Sequence, residues 1–166
     1  MRLVECTVAT DDVDGFVARL GAIGERHGAA VQAFDARYVV DRTHLERAVA
    51  LADRARERGA AVARERSVEV LLYAAGRRQI DRALTMGVDR GPTPAVVLVD
   101  GTGDGEAAAA DAVRGLDPVT PATTLGDYDP DRVRSFFDVS DAELAAAAGD
   151  LAALVHERVA LLAVER

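Results

Sequence analysis

The stretch Arg64–Val88, RERSVEVLLYAAGRRQIDRALTMGV, decides the fold that the sequence predicts. Its apolar residues recur every three or four positions on both sides of Gly76, a spacing typical of amphipathic helices. We therefore predict two short helices, one capped by Ser67 and the other running from Arg77 to Met86. Gly76 suits the position just after a helix, where the backbone often adopts a left-handed conformation that glycine favours.

The chain before this stretch predicts a β-α-β opening and one further helix. Alternating apolar residues indicate strands over 3–9 and 30–34, and an amphipathic stripe indicates a helix over 12–27 between them. Thr43 and Glu46 match a capping box, which predicts that the next helix begins there.

The chain after this stretch contains one continuous apolar run, Ala95–Val99, which predicts a central strand. The other predicted elements are a rigid turn over 90–94, a helix over 106–114, an edge strand over 118–125, a helix over 130–137 and one long helix from the capping box Ser140/Glu143 to the end. Together these elements predict a single α/β (α+β) domain over 1–166. Its sheet is expected to be small, mixed or antiparallel, with about four strands flanked by several helices.

The charge of the chain is acidic overall but basic in the middle. All 20 basic residues are arginine and the formal charge is −8, which suits a salty, halophilic cytosol where ions screen repulsion. From Arg37 to Arg90, however, 12 arginines stand against 8 Asp and Glu. A basic segment in an acidic chain suggests a local anionic partner.

The composition also limits the cellular location. Cys6 is the only cysteine, so no internal disulfide is expected. No run of about 18 apolar residues is present, and the N-terminus turns acidic too early for a signal peptide. We expect a cytoplasmic protein with no membrane partner.

Arginines stand at the predicted helix starts of the central stretch. A helix N-terminus is already partly positive, so exposed cations there cost roughly 0.3–1 kcal/mol each. Backbone N–H groups combined with guanidinium groups would bind a phosphate. The alternative is that the arginines pair with Glu65, Glu69 and Asp81. The arginines concerned are Arg64, Arg66, Arg77 and Arg78.

The same stretch has more apolar side chains than one buried stripe needs. Some are expected to face a protein partner, while the alternative is that all of them pack inward. The residues concerned are Leu71, Leu72, Tyr73, Ile80, Leu84 and Met86.

Two further motifs give weaker indications of ligand binding. Gly101–Gly105 follows a strand and precedes a helix, but it is GxGxG rather than GxGxxG and is flanked by acids. Asp127, Asp129 and Asp131 resemble the start of a calcium loop, but Arg132 replaces the turn glycine, so helix capping explains them better. No catalytic triad or metal set is indicated, and we expect no enzyme activity and no cofactor.

The run Glu69–Val88 resembles the hallmark of the kinase-binding (Cgi-type) subunit of the KEOPS complex, in its archaeal form. Segments 31–36, 44–48 and 157–162 are similar to its other blocks. The resemblance covers nearly the whole chain, with Val70 as a departure inside the hallmark.

The resemblance implies a non-catalytic function in tRNA modification. KEOPS attaches threonylcarbamoyl to the adenosine next to the anticodon. Its transferase subunit performs the chemistry, and a small atypical kinase acts as an ATPase. The resembling subunit binds that kinase directly, meets the transferase only within the complex, and holds the tRNA 3′ CCA end.

The resemblance also assigns roles to residues. It implies a kinase interface at Leu72, Ile80 and Leu84. The residues it implies for tRNA binding are Arg64, Arg66, Tyr73, Arg77, Arg78, Gln79 and Arg82. Two alternatives stay open: a small nucleotide-binding protein that uses the 101–105 loop, and a protein-interaction adaptor without RNA binding.

Overall fold

The computed structural model describes residues 1–164. In chain order the elements are β1 (Arg2–Thr10), α1 (Val13–His27), β2 (Ala29–Asp35), a 3-10 turn (Ala36–Tyr38), α2 (Arg42–Glu57), α3 (Arg66–Ala75), α4 (Ile80–Ala83), a 3-10 turn (Leu84–Met86), β3 (Gly91–Gly101), α5 (Gly103–Arg114), β4 (Val119–Pro121), α6 (Pro130–Phe136), α7 (Asp141–Ala146) and α8 (Leu151–Val164). Contacts group them into two compact units, residues 1–36 with 87–125 and residues 37–86 with the chain from 126 onward.

The first unit contains a four-stranded antiparallel sheet, as the sequence predicts. The strand order is β2-β3-β1-β4, and every neighbouring pair is antiparallel. Ala95–Val99 lies in the interior strand β3, and all five of its residues are buried. Val4, Cys6 and Val8 alternate along β1 and share a core with α1 and α5. The predicted α+β fold class is confirmed.

Two predictions about strand ends need correction. The rigid turn over 90–94 is wrong, because Gly91–Pro94 continues β3 and pairs with β1. Proline fits there because β2 pairs only with residues 95–101 of β3, so Pro92 and Pro94 each keep one side unpaired. The edge strand is confirmed but is shorter than predicted, ending at Pro121 opposite Cys6.

The second unit is built from helices, and α2 packs against α3 and α8. The apolar residues of α2 recur at helical spacing and are buried, but the predicted capping box of Thr43 and Glu46 is wrong. Asp41 is the N-cap instead, and its carboxylate accepts the His44 N–H at 2.8 Å. The helix therefore begins at Arg42, one residue before Thr43.

Helix α3 differs from the prediction at its start and in its burial. It begins at Arg66 after Glu65, without a side-chain cap, so Ser67 lies within the helix rather than capping it. Every residue over 69–75 is buried. Gly76 ends the helix at φ 61°, which confirms the predicted left-handed residue.

Two predicted helices are interrupted. The helix predicted over 77–86 is wrong, because only Ile80–Ala83 is α-helical and a 3-10 turn follows. The Ser140/Glu143 capping box is confirmed, but the predicted long helix stops at Ala146 and resumes at Leu151. Its last two predicted residues lie outside the described range. None of the helices in residues 1–164 is long and apolar enough to cross a membrane.

Candidate functional site

A buried histidine joins the start of α2 to the end of α3. His44 donates from Nε2 to the Ala74 carbonyl at 2.8 Å, and its Nδ1 accepts the Val40 N–H at 3.3 Å. These two bonds require a neutral ring. Burial agrees with this, because it lowers the pKa of His44 to about 4. In the sequence, the signal for this role was that His44 directly precedes Leu45, an apolar residue of the buried face of α2.

A buried carboxylate fixes the connection between the same two helices. Glu69 is fully buried, and its Oε2 accepts the backbone N–H groups of Val62 at 3.1 Å and Ala63 at 2.8 Å. A buried charge is tolerated only when such bonds satisfy it. Glu69 therefore shapes the backbone, a role that differs from the arginine pairing considered from the sequence.

The chain after Gly76 forms an exposed segment, residues 78–85, which we call the α4 turn. Ala83 and the following Met86 are fully buried and anchor it. Arg78, Gln79 and Arg82 precede these anchors in the chain and are exposed. The structure therefore brings these three predicted tRNA-binding residues together.

Two apolar side chains are also exposed on the α4 turn. Ile80 is 43% exposed and Leu84 is 58% exposed. Four residues apart, they lie on the same side of the turn. At about 100° per residue, Arg82 is rotated by about 200° from Ile80. Arg82 thus points in a different direction from Ile80 and Leu84.

Two of the predicted tRNA-binding arginines already have partners within the second unit. Arg66 forms a bidentate ion pair with Asp53, with nitrogen–oxygen distances of 2.6 and 2.8 Å. Arg77 lies over the Phe136 ring, 5.0 Å from its centroid, and also donates to the Phe136 carbonyl. An incoming phosphate would have to compete with these contacts.

The predicted arginine cluster is divided between the two ends of α3. Arg64 is exposed just before α3, and its carbonyl accepts from Arg56. The helix has ten residues, so it extends roughly 15 Å to the Gly76 end. Arg77 and Arg78 do not begin a helix, and α4, with four residues, presents no long helix dipole to an anion.

Two of the predicted surface residues are buried. Leu72 and Tyr73 are each 1% exposed. The expectation that Leu72 contacts the kinase and that Tyr73 contacts tRNA is therefore corrected. Because α3 is buried on all sides, the helical spacing of its apolar residues could not identify an outer face.

The glycine-rich segment 101–105 serves packing within the first unit. A Cβ at Gly105 would lie 2.3 Å from the His27 carbonyl oxygen, so this glycine permits close approach of α5 to the end of α1. Glu106 accepts the Gly101 N–H at 3.1 Å. One backbone N–H group of this segment is thus already bonded to a carboxylate of α5.

The acidic segment before α6 is a helix cap, as predicted. Asp129 accepts the N–H groups of Asp131 at 3.1 Å and Arg132 at 3.3 Å. Within residues 1–164, no three or more His, Cys, Asp or Glu side chains are grouped so that they could hold a metal ion.

The α4 turn thus exposes both aliphatic and cationic side chains. The family model for the kinase-binding protein CGI-121 matches residues 19–163. The chain belongs to this family, whose description is kinase binding. A comparison with curated proteins finds no match.

Proposed function

We propose that this protein is a non-catalytic subunit of an archaeal KEOPS complex, which binds the small kinase directly and the tRNA 3′ CCA end. The observation that carries the proposal is the exposed α4 turn, which lies inside the stretch that resembles the hallmark of that subunit. Family membership supports kinase binding, and the exposed arginines support the RNA contact.

Ile80 and Leu84 form the proposed kinase contact. Leucine and isoleucine side chains this exposed in the free protein gain free energy when a partner covers them, on the order of 1–2 kcal/mol each. Leu72, which the resemblance also implied, is left out because it is buried.

Arg78 and Arg82, with Gln79 between them, form the proposed RNA contact. Guanidinium groups donate two parallel hydrogen bonds to a phosphate, and the Gln79 amide can both donate to and accept from a base edge. In a salty cytosol the release of counterions contributes less to binding, so directed bonds of this kind matter more. Arg64 lies at the opposite end of α3 from Arg78, so it joins this contact only if the bound RNA extends along the whole helix.

The kinase contact is tested with a Leu84→Asp variant. We expect its affinity for the recombinant kinase to fall roughly 30-fold or more, because about 2 kcal/mol of apolar burial is lost and a charge is introduced. Val17→Asp is the matched control, since Val17 has a similar exposure of 52% in the first unit. Equal binding by both variants would contradict the kinase contact.

The RNA contact is tested with Arg78→Glu/Arg82→Glu. Fluorescence anisotropy with labelled tRNA is expected to show weaker binding, while affinity for the kinase is retained. Removing CCA from the tRNA is expected to weaken binding by the unmodified protein in the same way. If the protein binds the kinase but no tRNA, it is the adaptor without RNA binding.

A further inference from the structure

The outer face of α2 has a row of arginines that the proposed function does not use. Arg47, Arg54 and Arg58 are exposed. They are spaced by seven and four residues, so at about 100° per residue they fall within about 40° of one another around the helix. We call these three residues the α2 stripe.

The three guanidinium groups are available to an external partner. None of the ion pairs among residues 1–164 includes a member of the α2 stripe. Two acids of α2 are held by other arginines, since Glu46 pairs with Arg42 at 2.7 Å and Asp53 pairs with Arg66. Glu57 is exposed, about 60° around the helix from Arg54.

Stabilisation of α2 does not account for the whole stripe. Arg54 and Arg58 stand at the C-terminal end of the helix, where cations interact favourably with its dipole. Arg47 is the sixth residue of this sixteen-residue helix, more than two turns from its C-terminal end and beyond the reach of that effect. Its exposed charge, aligned with the other two, has no structural partner.

The shape and chemistry of the stripe fit a nucleic acid backbone. From Arg47 to Arg58 the helix rises about 16 Å. A nucleic acid strand in a duplex carries one charge about every 3.4 Å along its axis, so three separate phosphates can be reached. No large exposed apolar side chain lies on α2, whereas the centre of a protein interface usually has one.

We propose that the α2 stripe binds backbone phosphates in the body of the tRNA, outside its CCA end. This inference rests on the proposed function, because it assumes that tRNA is the RNA concerned. It adds a second contact that does not depend on CCA and does not read bases.

The test measures tRNA affinity as a function of KCl concentration for Arg47→Gln/Arg54→Gln/Arg58→Gln. A plot of the logarithm of the tRNA association constant against the logarithm of the salt concentration has a negative slope. Each lost phosphate contact makes this slope less steep by about 0.7–0.9. For the triple variant we expect the slope to become less steep by about 2–3. The control is Arg19→Gln/Arg26→Gln/Arg90→Gln, which removes three exposed arginines from the first unit and the same net charge. Urea unfolding of both variants establishes that they are folded.

A second arm uses tRNA that lacks CCA. The residual affinity is expected to depend on the α2 stripe and not on Arg78 and Arg82. If stripe and control variants show the same slope while CCA removal still weakens binding, the inference is overturned and the proposed function stands. Loss of kinase binding with unchanged RNA binding in the stripe variant would assign the stripe to an acidic protein instead. If the unmodified protein binds no tRNA, the inference and the RNA part of the proposed function both fail.

Discussion

The buried His44 predicts a specific dependence of stability on pH. Burial lowers its pKa from 6.5 to about 4 in the folded protein, so the folded state holds the neutral ring while the unfolded state takes up a proton below about pH 6.5. This contribution to stability is complete above pH 6.5 and is lost as the pH falls from 6.5 towards 4. Because one pKa unit corresponds to about 1.4 kcal/mol, the full loss is about 3 kcal/mol, and about 2 kcal/mol of it occurs by pH 5.

His44→Gln removes the titration of this ring, while the neighbouring titratable groups Asp41 and His156 are present in both proteins. Glutamine keeps a donor for the Ala74 carbonyl but does not take up a proton in this range. Urea unfolding of both proteins near pH 7.5 and near pH 5, at constant ionic strength, gives the free energy of unfolding. Between these pH values we expect the unmodified protein to lose about 2 kcal/mol more than His44→Gln. Equal losses would refute the buried neutral histidine and its role in joining α2 to α3.

Two further predictions concern the backbone. Glu69→Ala is expected to lower the free energy of unfolding by about 2–3 kcal/mol, because it leaves the N–H groups of Val62 and Ala63 without their acceptor. Amide hydrogen exchange of these two residues is expected to become faster. Gly105→Ala is expected to cost about 1–3 kcal/mol because its Cβ would meet the His27 carbonyl. Its matched control, Gly21→Ala, has no atom within 4 Å and should gain up to about 1 kcal/mol from helix propensity. Equal thermal stability of these two glycine variants would contradict the packing role of the 101–105 segment.

The sequence predicted elements well where one physical signal dominated. The apolar residues of α2 form one buried face, so helical spacing agrees with the structure there. The continuous apolar run Ala95–Val99 is buried throughout, and this identified the interior strand. Gly76 had the one conformation that favours glycine, so the end of α3 was also predictable.

The sequence failed where tertiary contacts override local preference. Ser67 is a good N-cap residue, yet α3 starts one residue before it, with Glu65 as the N-cap. The chain that leads into the helix is held by the bonds from the Val62 and Ala63 N–H groups to the buried Glu69 carboxylate. The long C-terminal helix is broken at Ala148, whose φ of 54° no propensity would suggest for alanine.

The candidate site was predictable only in part for the same reason. Its location in the central stretch followed from the arginines and the surplus of apolar side chains. The division into a buried α3 and an exposed α4 turn did not follow, because Leu72 and Leu84 look alike in an apolar pattern. Only packing distinguishes them, since one is 1% exposed and the other 58%.

The central claim is that the α4 turn binds two partners through different side chains. The most direct test measures the affinities of Leu84→Asp and Arg78→Glu/Arg82→Glu for both the kinase and tRNA. We predict that the first variant loses the kinase and keeps tRNA, and that the second loses tRNA and keeps the kinase. If either variant weakens both partners equally, or neither, the α4 turn does not have the two separate binding surfaces assigned to it.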